Sequence, residues 1–305
     1  MLAAAAGPDR EHTIMKSDIE RRCYGGAMKM LGHASDERKR VSGFSLIAAR
    51  QFLAPRQCLA ALALISSLVA LGSATAYAED VTVIGVDGGP ANPNGGDAIA
   101  NAGPGPGPDP TNTANAFGGI GGSPSFGRGG NGGSATSTAT TSTTSGAASA
   151  NSSASGGNGG SGNNGNGGSG GNATSTATAT ATGGNPATAS AGATGGNGGF
   201  GSGLGVFNGG FAGFATATAS GTSGSGTVNV TASAQGGSGG SVGVGFAGDG
   251  ASVSLNNAVS GSTTGSLNLY QNAYAGNGNS VASGIPGKGG SARSALSVFE
   301  AWLPL

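Results

Sequence analysis

The 305-residue sequence predicts a mostly β or irregular protein of low complexity, with a β-solenoid over about residues 200–290. Three observations point there. Of the 66 glycines, 60 follow residue 78. Glycine loses more backbone entropy on ordering than any other residue, and large apolar side chains are too few here to offset that in a compact core. Second, Asn172–Thr182 reads NATSTATATAT. Its threonines at 174, 176, 178, 180 and 182 share one face of an extended strand, and its alanines share the other. Third, the pairs Val228/Val230, Val242/Val244, Val253/Leu255 and Leu267/Leu269 alternate like short strands, with Gly, Asn and Ser between them. Near-even spacing of this kind suits a solenoid or a flat meander.

From the N-terminus, residues 1–49 form a basic extension. Met15, Met28 and Met30 are alternative starts, and a mis-assigned start is the simplest account of its length. Residues 50–78 carry Arg50 and Arg56, an apolar run at Cys58–Leu71, and the small-residue site Ala76-Tyr77-Ala78 before Glu79. That order predicts a secretory signal helix cleaved after Ala78. The run is shorter than the ~20 residues a membrane span needs. Ten basic and six acidic residues lie in 1–78, against three basic and seven acidic after it, which fits a leader joined to a different mature chain.

Residues 79–128 open with one short strand, Val81–Ile84, and continue as a disordered Pro/Gly-rich linker. The Gly-Pro alternation at 103–108 favours an extended, polyproline-like chain. Residues 129–199 are Gly/Asn/Thr/Ala repeats, with Gly-Gly-Asn-Gly-Gly at 129–133, 156–160 and 195–199 and Gly-Gly-Ser-Gly-Gly at 167–171 and 236–240. Such clusters suit turns. Their uneven spacing predicts partial disorder instead of a regular solenoid. In 200–290, Phe200, Leu204, Val206, Phe207, Phe211 and Phe214 make the densest apolar cluster. The tail 291–305 has Leu296, Phe299 and Leu303 at helical spacing beside Trp302, which fits a cap, a membrane-contacting end or a chain boundary.

The chemistry of the mature region is sparse. Cys23, Cys58, His12 and His33 all lie in the leader, so no disulfide framework or soft metal site is expected after it. Its carboxylates are Glu79, Asp80, Asp87, Asp97, Asp109, Asp249 and Glu300, with no histidine to act as base. No phosphate-loop Gly-Lys-Ser/Thr is present. Calcium-binding glycine-aspartate repeats need an aspartate per repeat, so Asp97 and Asp249 read as turn residues. Arg128, Lys288 and Arg293 are too few and scattered for nucleic acid. No enzyme activity, cofactor or metal is expected.

The leader, the GGNGG clusters, the Thr-Ala runs and SLNLYQNAYAGNGNS at 266–280 together resemble glycine-rich exported bacterial proteins, described as haemagglutinin-like, autotransporter-passenger-like or PGRS-like. The resemblance is one of composition. It implies an extended β architecture and a surface or matrix role, and it carries no functional residue over. No set of C-terminal amphipathic strands for an outer-membrane barrel accompanies it; release to the medium or truncation accounts for that.

The expected function is a secreted, non-enzymatic structural or adhesive surface protein with repetitive polar β faces. Carbohydrate, other surface components or further copies of itself are the expected partners, and the location is extracellular, cell-surface or periplasmic. The alternatives are an ice-binding or small-ligand-binding β-solenoid, since Thr-X-Thr rows resemble the surfaces of some antifreeze proteins, or a disordered chain without a specific partner. Against ice binding, the rows read as irregular in length and period.

Overall fold

The computed structural model describes residues 80–89, 93–103 and 110–298. The expected signal segment with Ala76, Ala78 and Glu79, the extension before it, and Phe299, Trp302 and Leu303 of the tail lie outside these residues. Every described element is a strand, and every strand pairing is parallel. The result is a β-solenoid of about five turns.

One sheet stacks β1 (Asp80–Ile84), β3 (Thr111–Phe117), β5 (Ala148–Ser155), β7 (Ala187–Thr194), β10 (Val228–Gln235) and β14 (Leu267–Tyr274). The facing sheet stacks β2 (Ala98–Ala102), β4 (Ala135–Thr143), β6 (Ala173–Ala181), β9 (Ala215–Thr222) and β13 (Val259–Ser262). The faces they turn outward are called side A and side B. Two smaller parallel sheets join β8 (Phe207–Asn208), β11 (Val242–Phe246) and β15 (Val281–Ile285), and β12 (Val253–Asn256) with β16 (Ala292–Ala295).

Alternation builds the space between the sheets. Along β6 every second residue is buried, and Ala173, Ser175, Ala177, Ala179 and Ala181 point inward while the threonines point out. Ala139, Ala150, Ala177 and Ala217 are fully buried from solvent. Alanine loses no side-chain rotamer freedom on burial, so an alanine interface orders at low entropic cost, and small side chains let both sheets close into a dry seam, as in steric zippers. Where the partner shrinks, larger residues fit. Val228 and Val230 on β10 meet Gly221 on β9, where an added Cβ would stand 2.8 and 2.9 Å from their methyl carbons. A buried hydroxyl chain also crosses the seam: Ser175 Oγ donates to Ser152 Oγ, Ser152 Oγ to Ser137 Oγ, and Ser137 Oγ to the Ala114 carbonyl, at 2.8, 2.8 and 2.7 Å.

The other half of each coil is glycine. The clusters expected to be turns are extended runs packed against one another, with the threefold period of polyproline II. In Ser155-Gly-Gly-Asn158-Gly-Gly-Ser161, the glycines pack inward or against the next coil and every third residue points out. Gly133, Gly157, Gly171 and Gly196 each donate to the run before, onto the carbonyls of Gly119, Gly133, Gly157 and Gly171, at 2.8–2.9 Å. A Cβ on Gly157 would collide with the Gly119 carbonyl, which is backbone and cannot yield. Here glycine is required by close approach of chains. The tight turns lie elsewhere, as at Gly146 and Gly183, whose φ of +93° and +64° suit glycine.

The uneven cluster spacing has a simple cause: each coil carries two clusters, one outgoing and one returning. Equivalent positions in successive coils, such as Asn131/Ser169, Asn158/Asn197 and Asn197/Ser238, are 38, 39 and 41 residues apart. Residues 129–199, expected to be partly disordered, therefore form coils in register, and the solenoid extends well before residue 200. Strands β2 and β3 occupy part of the expected linker, and strand β16 lies in the tail before Leu296, the first residue of its helical spacing.

Candidate functional site

On side B, three successive strands present the same outward pattern. Thr136, Thr138, Thr140 and Ser142 stand on β4; Thr174, Thr176, Thr178 and Thr180 on β6; Thr216, Thr218, Ser220 and Thr222 on β9. The register places Thr136 beside Thr174 and Thr174 beside Thr216, and so on through all four columns. The mesh of this grid follows from parallel β geometry, about 6.6 Å along each strand and about 4.8 Å from coil to coil. Thr176 and Thr218 Oγ1 lie 3.3 Å apart, and Ser220 Oγ donates to Thr178 Oγ1 at 3.2 Å.

The grid is rigid for identifiable reasons. β6 is hydrogen-bonded on both edges, and its inward alanines are locked in the seam. Threonine is β-branched and favours few χ1 rotamers on a strand. No ionisable side chain stands within the array. Its lower border is Ile99 and Asn101 on β2. At its upper border the chain bulges at Asn257, with φ of +48°, and leaves a notch of about 140 Å³ lined by Thr176, Thr218, Ser220 and Ser260.

Beyond each grid strand the same side continues over the glycine runs, where Asn, Asp and Ser predominate at the outward third positions. Their side chains form ladders between coils. Asn94 Oδ1 accepts the Asn131 N–H, and Asn131 Oδ1 accepts the Ser169 N–H, at 2.9 and 3.0 Å. Asp97 and Asp249, expected to be turn residues, act likewise: they accept the Ser134 and Lys288 N–H groups at 2.7 and 2.6 Å. On the runs that follow the side A strands, Asp87 accepts from the Ile120 N–H at 2.8 Å. Each satisfies a backbone donor that the glycine packing leaves facing outward. Among the described residues no three His, Cys, Asp or Glu side chains gather as a metal site. Phe211 and Phe214 stand exposed on the run that leads into β9, and Phe246 is exposed on β11, beside Asn208.

The threonine rows were visible in the sequence as alternation. Their vertical alignment was not, because it depends on coil length, and coil length was hidden by counting both clusters of a coil as repeats. The usable signal was the Gly-Gly-X triplet, whose third residue marks the outward face. No protein-family model, curated protein or solved structure matches the chain.

Proposed function

We propose that the chain is an exported, non-enzymatic surface-binding protein whose side B threonine grid adsorbs to ice. The observation that carries this reading is the column-by-column register of three four-residue ranks, Thr136–Ser142, Thr174–Thr180 and Thr216–Thr222. Each threonine offers a hydroxyl that can hold a lattice water and a methyl that limits the ways neighbouring water can arrange. Repeated on a rectangular mesh of about 4.8 by 6.6 Å, these groups would order water in two perpendicular directions. The array is neutral, as an uncharged lattice requires. Its rigidity means little order has to be imposed on binding, and twelve weak contacts act as one multivalent ligand.

Thermal hysteresis and crystal habit test the proposal. The full-length protein is expected to hold the freezing point below the melting point and to facet growing crystals. Round crystals with no hysteresis at high protein concentration would remove the reading.

A second reading, the structural or adhesive surface protein, is supported by the polar outward rows on both sides. They recur over several successive coils, so weak contacts to an extended solid or polymer would again add up.

A further inference from the structure

The last coil of side A differs from the coils beneath it. On β14 the outward residues are Asn268, Tyr270, Asn272 and Tyr274, and the register sets them beside Asn229, Thr231, Ser233 and Gln235 on β10. Tyr270 and Tyr274 are 58% and 55% exposed. They share one face of one strand, about 13 Å apart at their Cα atoms. Beside the two rings β10 presents Thr231 and Gln235, and β7 below them presents Ser190 and Thr194 with Gly192 between. The strand β14 is also the last in its sheet.

The state of the amides is the second observation. Over the glycine runs, outward asparagines such as Asn131 and Asn197 are engaged in the ladders that tie coils together. On β10 and β14 the Asn268 Nδ2 donates to Asn229 Oδ1 at 2.8 Å, which fixes the orientation of that pair. Among the described residues, the side chains of Asn272 and Gln235 and both tyrosine hydroxyls have no hydrogen-bond partner. Two exposed rings thus flank free donor–acceptor groups on a flat strip with no charged side chain.

We propose that this strip binds a neutral polysaccharide lying along β14. Pyranose rings present C–H groups that stack on aromatic faces, and their neighbouring hydroxyls match the paired donor and acceptor of a side-chain amide. The lack of charge disfavours acidic polymers and phosphate. The flat, open strip suits an extended chain bound side-on instead of a small molecule, which takes an enclosing pocket. The assignment rests on the adhesive reading, for which it supplies a ligand class. It does not rest on ice binding, since the threonine grid is on the opposite side.

Binding of the full-length protein to insoluble cellulose, insoluble chitin and soluble mixed-linkage β-glucan tests it, with thermal melts run alongside. The wild type is expected to bind at least one. Tyr270→Ala with Tyr274→Ala is expected to weaken binding by roughly tenfold or more without moving the melt. Tyr270→Phe with Tyr274→Phe, which keeps the stacking faces, is expected to retain most of it. Undiminished binding by the double alanine variant would overturn the proposal. So would failure of the wild type on all three glycans, and adsorption to some other solid in that case would leave the adhesive reading standing.

Discussion

Thr176 on β6 and Thr218 on β9 stand one above the other in adjacent coils, their Oγ1 atoms 3.3 Å apart. Forty-two residues of chain separate them. Their alignment needs the intervening coil to close on a fixed length, so this contact ties the surface array to the glycine packing. What the array can bind is set by the regularity of the interior.

Thr176→Lys is therefore expected to abolish thermal hysteresis, because a long charged side chain at the centre of the grid holds the lattice off several neighbours at once. The melting temperature should stay within about 2 °C of the wild type, as Thr176 is an outward position. Hysteresis measured beside a circular-dichroism melt separates the two effects.

The glycine runs give an opposed pair. Gly157→Ala drives a methyl into the Gly119 carbonyl and is expected to cost ~3 kcal/mol or more. For a chain of this size that lowers the melting temperature by roughly 10 °C. Gly192→Ala meets nothing within 4 Å and is expected to be neutral, or stabilising by up to ~1 kcal/mol. Denaturant titration of both variants checks the difference.

This contrast also marks what could be read from the sequence. The alternation at Thr174–Thr182 fixes side-chain direction locally, so strand character and the threonine face were legible. Gly157 and Gly192 are the same letter in two environments, one wedged between backbones and one bare on a surface. Local sequence does not separate them, because the wedging partner, Gly119, lies in another coil. The tyrosine strip shows a similar limit. SLNLYQNAYAGNGNS stood out as distinctive, but only the pairing of β14 with β10 places Thr231 and Gln235 beside its tyrosines.

Complementary packing in the seam predicts coupling. Gly221→Ala alone should cost about 1–3 kcal/mol by crowding Val228 and Val230. In a Val228→Ala, Val230→Ala background the same change should cost much less. A double-mutant cycle is expected to give a coupling energy of about 1 kcal/mol or more.

The buried serines predict non-additivity of another kind. Ser137→Ala removes the acceptor of the Ser152 hydroxyl and should cost about 1–2 kcal/mol. Changing Ser137, Ser152 and Ser175 together to alanine extends the alanine seam and leaves no orphaned hydroxyl. That triple variant is expected to be within ~1 kcal/mol of wild type, measured by urea unfolding.

Recognition of an ordered water lattice by the side B grid is read out by the protein's affinity for particular ice planes. A single ice crystal is grown slowly in a solution of fluorescently tagged full-length protein and then imaged. Fluorescence in bands on prism faces, absent for Thr176→Lys and kept by the Tyr270→Ala, Tyr274→Ala variant, is the predicted result. Uniform exclusion of the wild-type protein from the growing crystal would contradict it.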